Sequence, residues 1–418
     1  MRKSGRERLV IIGNGMATPR LLERLLAEAP DRYAITVFGA EDAGGYNRIL
    51  LSPVLAGEKS ADDIVTHAPE WYAARGIALH RGEAIGVIDR KARLVRSVRG
   101  RVVPYDRLVL ATGAEPIRLP LPGAALAGVV GFRDFADIAA MDRAAAQGGA
   151  AVVIGGGLLG LEAAWGLRRR GMEVTVLHLL PTLMERQLDG EAAALLADDL
   201  ARRGIAVRTG ATSRAILDHG TGAAGGVALE DGTVLQARLV VVAVGIRPRI
   251  DLARAAGIVC GRGIRVDDRL VTSDPAILAI GECAEHDGAV FGLLAPVLAM
   301  AAAAAGHLAG LPARFVPPQT GTRLKVSGID MFSAGAFQPG EGDESLTFRD
   351  RARGIYRRLV LRDDRLVGAL LYGDAADAGY YQGLIDAAAP LGMLREGLIF
   401  GPAATVPADA AAAMLEPA

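Results

Sequence analysis

Cysteine is scarce in this chain: two in 418 residues, Cys260 and Cys283. They form no CxxC pair, which excludes a redox dithiol of that kind, and two thiols cannot build a four-cysteine iron–sulfur site. Their spacing carries no metal pattern, so no metal ligands are assigned. So few thiols in so long a chain suit a reducing compartment. Histidine is scarce too, at six residues, and no Ser/His/Asp or Cys/His constellation stands out. Net charge is missing, because 47 Lys and Arg balance 47 Asp and Glu. A neutral chain argues against nucleic acid or an anionic membrane as the main partner, although a local basic patch can still dock an acidic protein. Long apolar runs are missing as well. Leu9–Ile12 is too short for a signal-peptide core. Ala299–Ala305 is soon broken by glycine, His307 and Pro312, and falls short of a membrane span. These absences predict a soluble cytoplasmic protein, long enough for two to four domains.

What the chain does have is glycine in two places with the same surroundings. Leu9-Val10-Ile11-Ile12 runs into Gly13-Asn14-Gly15-Met16-Ala17-Thr18. Ala151-Val152-Val153-Ile154 runs into Gly155-Gly156-Gly157-Leu158-Leu159-Gly160. Each reads as strand, glycine turn and helix, the context that turns a weak motif into a dinucleotide-binding unit. The first glycine permits the tight turn. The second lets a pyrophosphate approach the backbone, where the helix N-terminus offers free N–H groups and partial positive charge. The alternative is a glycine turn with no ligand. Thr18 holds the third glycine position of the first unit, which predicts looser strand–helix packing there.

Other candidates follow from position. Glu41 lies just past the strand Ala34–Phe38, where a carboxylate accepts ribose hydroxyls; neighbouring Asp42 is an alternative, and either could be a solvated loop acid. His178 follows the strand Val174–Leu177, where an acid would favour NADH. No Lys or Arg in Leu179–Pro181 favours a 2′-phosphate, so NADH is preferred and NADPH left open; a surface histidine is the plain alternative. Glu162 sits one turn into the second helix, as a catalytic candidate against the nicotinamide or flavin edge, or as an ordinary acid complementing the helix dipole. Cys283 reads as a packing residue rather than a redox thiol. Met16, Ile85, Leu158 and Leu159 complete the cofactor-binding candidates with Gly13, Gly15, Gly155, Gly157 and Gly160. The helix leucines Leu21, Leu22, Leu25 and Leu26 mark a core face. Asp363-Asp364 between two alternating runs predicts a hairpin.

Together these residues resemble the two-dinucleotide flavoprotein reductases of the glutathione-reductase-like class, over about residues 9–310. The marks are the two fingerprints, Ala111-Thr112-Gly113, Ala243-Val244-Gly245, and Thr272-Ser273-Asp274 through Gly281-Glu282. The resemblance implies an α/β fold with two Rossmann-like dinucleotide-binding domains, for FAD and for NAD, and a small C-terminal α+β domain. It implies a discontinuous FAD domain at 1–115 and 246–318, an NAD(P)H domain at 116–245 and the small domain at 319–418. It adds Arg48, Thr112, Gly113, Gly245, Gly281 and Glu282 to the cofactor-binding set. Arg48 is then expected to neutralise pyrophosphate. Glu282 stands where the class has Asp, one methylene longer.

A nearer resemblance is to the FAD/NADH portion of the assimilatory nitrite reductase large subunit. It is carried by Ile11–Ala17, Ile35–Gly39, Tyr46–Ser52, Leu183-Met184-Glu185-Arg186-Gln187-Leu188-Asp189, Gly281–His286, and Leu359–Asp377. The cysteine-rich segments of that family's downstream iron–sulfur and siroheme centre have no counterpart here, so the chain is not expected to reduce nitrite alone. The resemblance implies NADH bound at Gly155–Gly160 passing a hydride to FAD, with electrons going on to a separate nitrate or nitrite reductase. Two alternatives stay open: a general NADH:ferredoxin or rubredoxin reductase, and a flavin-bearing sensor or assembly partner. Residues 44–56 lack the cysteine of the peroxide-reducing relatives, and Ser52 is followed by Pro53 where relatives carry Lys. The C-terminal domain is open as a homodimer surface or an acceptor dock, and the tail from Ala403 as a mobile segment.

Overall fold

The computed structural model describes residues 5–318, 321–326 and 328–405; most of the Ala/Pro-rich tail lies outside them. In chain order the first elements are β1 (Glu7–Ile12), α1 (Ala17–Glu28), β2 (Tyr33–Phe38) and β3 (Ala78–His80). A meander follows, β4 (Ile85–Asp89), β5 (Leu94–Ser97) and β6 (Val102–Pro104), and then β7 (Arg107–Leu110). Next come β8 (Val129–Val130), β9 (Ala150–Ile154), α2 (Leu158–Arg169), β10 (Glu173–Leu177), α3 (Gly190–Arg202), β11 (Ile205–Arg208) and β12 (Leu239–Val242). The strand β13 (Ile277–Ala279) and the helix α4 (Leu294–Ala309) lead to the last group. That group is β14 (Thr322–Val326), β15 (Ile329–Gly335), β16 (Glu344–Asp350), β17 (Ile355–Arg362), β18 (Arg365–Tyr372) and α5 (Ala378–Ala387).

The chain divides into two compact units. One holds the residues up to Ile117, Arg133–Ala139 and Gly245–Pro318; the other holds Arg118–Phe132, Ala140–Val244 and the described residues after Pro318. In the first unit the sheet runs β13-β7-β1-β2-β3, with every pairing parallel. A parallel sheet is covered on both faces, so its strands are apolar throughout rather than alternating. Leu9, Val10 and Ile11 accordingly have at most 1% of their surface exposed. Leu21, Leu22 and Leu25 of α1 are fully buried, and α1 packs beside the alanine-rich α4.

The second unit contains a parallel sheet in the order β8-β12-β9-β10-β11. It also contains the antiparallel sheet β14-β15-β18-β17-β16, with α5 against it. The β17–β18 hairpin turns at Asp363 and Asp364, both with positive φ (49° and 56°). A two-residue type I′ turn needs that pair of angles, and aspartate tolerates them better than most side chains. In both parallel sheets the first strand of a glycine unit has neighbours on either side that connect in opposite directions. Such a switch point leaves a crevice at the strands' carboxyl ends, and both glycine turns stand there.

Candidate functional site

The first turn is built by a backbone collision that only glycine avoids. Gly13 has φ +109°, and a Cβ there would lie 2.0 Å from the Ala111 carbonyl oxygen. The chain then enters α1 with no side-chain cap and no acidic residue in the first turn. Around Gly15 there is room, since a Cβ added to it meets nothing within 4 Å. The expectation of loose packing at Thr18 is corrected. Its side chain is fully buried, and its hydroxyl donates to the Gly13 carbonyl at 2.8 Å. The space that a side chain requires is closed by a hydrogen bond. Asn14 accepts from the Tyr72 hydroxyl at 2.8 Å through Oδ1, while its Nδ2 is buried with no partner.

Two arginines and two glutamates stand in the same unit. Glu41 accepts from the Tyr46 hydroxyl at 2.7 Å and pairs with Arg48 at 2.6 Å. Asp42, the alternative acid, is exposed and faces Arg81 at 3.7 Å. Arg48 also donates to the Arg133 carbonyl at 2.9 Å, and the Arg133 guanidinium pairs with Glu282. Burial alone would lower the Arg48 pKa, but Tyr46 and Glu41 outweigh it and raise it. Burial also pushes the Tyr46 phenol up, so it stays a donor. No sequence motif surrounds Arg133, so nothing local marks it as a site residue. Its contacts explain why Arg133–Ala139 groups with the first unit. Gly113 (φ +67°) lies with its Cβ direction 3.7 Å from Glu282 Oε2, and Gly281 (φ +78°) beside Ala17. The Thr112 hydroxyl donates to the Arg249 carbonyl at 2.8 Å. Gly245 accepts from the Ile117 amide at 3.0 Å, and Ile85 is the buried first residue of β4.

The second turn repeats the plan with tighter packing. Gly155 has φ +126°, with a would-be Cβ 2.3 Å from the Ala243 oxygen; a Cβ at Gly160 would come within 2.0 Å of Gly155. Gly157 caps α2 without a side-chain bond, no acid occupies the first turn, and its Cβ direction is open. The free first-turn amides belong to Leu158, Leu159 and Gly160. Glu162 is half-buried on the same helix. The surface-histidine alternative for His178 is corrected: its side chain is only 11% exposed. Nδ1 accepts from the Gly156 amide at 3.1 Å, and Nε2 lies 3.2 Å from Glu185. The run Leu183–Asp189 folds back on the turn, with the Met184 amide donating to the Gly156 oxygen at 3.1 Å.

Both turns therefore offer open, uncapped helix N-termini at switch points, the arrangement that receives a diphosphate. The buried, unpartnered Asn14 amide and the guanidinium groups of Arg48 and Arg133 fit an anionic dinucleotide in the first unit. Residues 7–306 match the family model described as pyridine nucleotide-disulphide oxidoreductase. The chain belongs to this family. It is an NAD(P)H oxidoreductase of the two-dinucleotide flavoprotein class, with FAD and NAD(P)H as cofactors. Residues 321–389 match the rubredoxin NAD+ reductase C-terminal domain. A nitrite reductase [NAD(P)H] of Bacillus subtilis is 44% identical over 89% of the chain and 46% of its own length. The assimilatory nitrate reductase electron transfer subunit of the same organism is 42% identical over 89% of the chain and 48% of its own length. The chain thus spans about half the length of these relatives. The ferredoxin reductase for the CYP199A2 system of Rhodopseudomonas palustris superposes with a TM-score of 0.83 at 26% identity, over 93% of this chain and 97% of that one.

The disulphide in the family's description has no counterpart here. Cys260 and Cys283 are both free, and burial pushes both thiols up. Cys283 is fully buried, with Sγ 3.2 Å from the Ile280 oxygen. Iodoacetamide on the native protein is expected to leave Cys283 unmodified and to label it only after unfolding; a native adduct would show the thiol to be reachable. Among the described residues no helix is long and apolar enough to cross a membrane.

Proposed function

We propose that these residues form the cytoplasmic electron-entry module of an assimilatory nitrate or nitrite reductase. NADH is the donor, and the acceptor is a one-electron centre outside these 418 residues. The observation that carries this reading is the pair of open glycine-turn helices, one in each unit, with no acid–base pair or reactive thiol suited to a substrate's own chemistry among the described residues. Bound FAD supplies hydride acceptance and the release of electrons one at a time. The chain's residues supply binding and orientation. The Gly155–Gly157 turn and the amides of Leu158 and Leu159 hold the nicotinamide dinucleotide. Gly13, Gly15 and the Met16 amide hold the flavin diphosphate, and Arg48 and Arg133 balance its charge. Glu41 takes the adenosine ribose, with Ile85 on its side of the site. Thr112, Gly113, Gly245, Gly281 and Glu282 would hold the rest of the flavin nucleotide, and Glu162 would orient the nicotinamide. The kinship with nitrite reductase and with a nitrate reductase electron transfer subunit supports the choice of acceptor.

Anaerobic titration of the purified holoprotein tests this. One equivalent of NADH per flavin is expected to bleach the yellow absorbance. A colourless protein, or a yellow one that NADH leaves unchanged, overturns the proposal. The rubredoxin-reductase character of residues 321–389 favours a second reading, a general ferredoxin or rubredoxin reductase. Fast reduction of a rubredoxin, with none of a nitrate reductase, would select it.

A further inference from the structure

The usual way for such a site to choose NADH is a carboxylate at the end of the second strand, which accepts from the adenosine 2′-hydroxyl. Here β10 ends at Leu177 and the next residue is His178, so the carboxylate is missing from its ordinary place. A carboxylate is nevertheless present, delivered from the loop that follows. Glu185 Oε2 lies 3.2 Å from His178 Nε2. Its side chain is 35% exposed, so it is held by the histidine yet reachable from solvent.

The backbone settles which way this pair is wired. The Gly156 amide donates to His178 Nδ1 at 3.1 Å. A nitrogen that accepts carries no proton, so the ring proton of neutral His178 sits on Nε2 and is donated to Glu185. The glycine turn thereby fixes the tautomer, and the tautomer fixes the carboxylate. Packing holds the same arrangement. A Cβ at Gly156 would come 2.7 Å from His178 Cγ and 2.5 Å from Leu183 Cδ2. Met184 takes a left-handed φ of 50° and donates its amide to the Gly156 oxygen, while Leu183, Met184 and Leu188 are buried. Arg186, the neighbouring cation, is exposed.

We propose that Glu185, positioned by His178, reads the adenosine 2′-hydroxyl of the nicotinamide dinucleotide and repels a 2′-phosphate, so that this chain selects NADH over NADPH. The proposal rests on the reading of the Gly155–Gly160 turn as the nicotinamide dinucleotide site. Glu185 accepts one hydrogen bond from the ribose when NADH is bound. A 2′-phosphate would set a second anion against the carboxylate, a repulsive element of the kind that creates specificity.

The test compares wild type, Glu185→Gln, His178→Leu and His178→Gln as holoproteins. NAD+ and NADP+ are titrated to obtain dissociation constants, and kcat/KM is measured for NADH and NADPH with ferricyanide as acceptor. Wild type is expected to prefer the unphosphorylated nucleotide by about 10-fold or more, and Glu185→Gln to shrink that ratio by about 10-fold, chiefly through tighter NADP+ binding. His178→Leu shrinks it in the same direction, and His178→Gln, which keeps a side-chain donor, restores part of it. A merely structural role for either residue would weaken both nucleotides together and leave the ratio unmoved. A Glu185→Gln ratio within twofold of wild type, with NADH still bleaching the flavin, overturns this inference and leaves the proposed function standing. A wild type that binds neither nucleotide overturns both.

Discussion

Gly157→Val is expected to leave the protein folded and yellow while raising the KM for NADH by about 100-fold or more. The expectation comes from two different kinds of glycine in one turn. At Gly155 the backbone angle is left-handed and a Cβ would strike the Ala243 carbonyl; substitution there costs on the order of 1–3 kcal/mol in strain before any ligand is considered. Gly157 has φ −84° and ψ 178°, ordinary extended values, and its Cβ direction is empty. Valine fits there at the cost of about 1 kcal/mol, mostly for a poorer helix cap, a shift of about 2–4 °C in Tm for a unit of this size. What valine removes is close approach to the Leu158 and Leu159 amides. Losing two hydrogen bonds to a charged phosphate costs about 3–6 kcal/mol, or about 10²–10⁴ in affinity. Gly15→Val is the mirror experiment. Its Cβ direction is equally open, so the variant should fold and purify without flavin. The measurements are flavin content, Tm and stopped-flow reduction by NADH. A Gly157→Val protein that NADH reduces with wild-type KM would remove the nicotinamide dinucleotide from this turn.

The parts of this site that could be read from the sequence are those where the backbone permits one residue type. Gly13 and Gly155 are forced by φ and by a carbonyl about 2 Å away, so the glycines themselves announce the turn. The parallel strands were legible because burial on both faces leaves unbroken apolar runs such as Leu9–Ile12. The rest depended on chain folding back on chain. Arg133 meets Glu282 across 149 residues of sequence, and no local pattern separates it from the other arginines. Glu185 reaches His178 only because Met184 turns left-handed under Gly156. In the sequence His178 and Glu185 stand seven residues apart with nothing to mark them as partners. The looser packing expected from the missing third glycine at Thr18 does not occur, because the hydroxyl that replaces it finds its own partner in the Gly13 carbonyl.

Asp189→Ala is expected to lower the stability of the second unit by about 4–6 kcal/mol, and the reason lies in three simultaneous contacts of one carboxylate. Asp189 Oδ1 accepts from the Ala192 amide at 2.9 Å and caps α3. Oδ2 accepts from the Tyr356 hydroxyl at 2.8 Å and lies 2.8 Å from an Arg358 nitrogen, with the carboxylate only 6% exposed. Alanine removes a cap worth about 1 kcal/mol. It also leaves a largely buried guanidinium and a phenol without their partner, for which breaking a buried pair costs about 3–5 kcal/mol. Asp189→Asn keeps the cap and loses the charge, so it should fall between. Glu191→Gln on the same helix breaks a more exposed pair with Arg349 and should cost no more than about 1 kcal/mol. Urea unfolding followed by Trp165 fluorescence orders the three, since Trp165 lies on α2 of the same unit. Equal costs for Asp189→Ala and Glu191→Gln would show that burial does not govern this contact. The consequence reaches the site, because Asp189 anchors the far end of the loop that carries Glu185 and covers Gly156. A loosened anchor frees that loop, so Asp189→Ala should also raise the KM for NADH at temperatures where the unit is still folded, an effect that Glu191→Gln, which leaves the anchor intact, should lack.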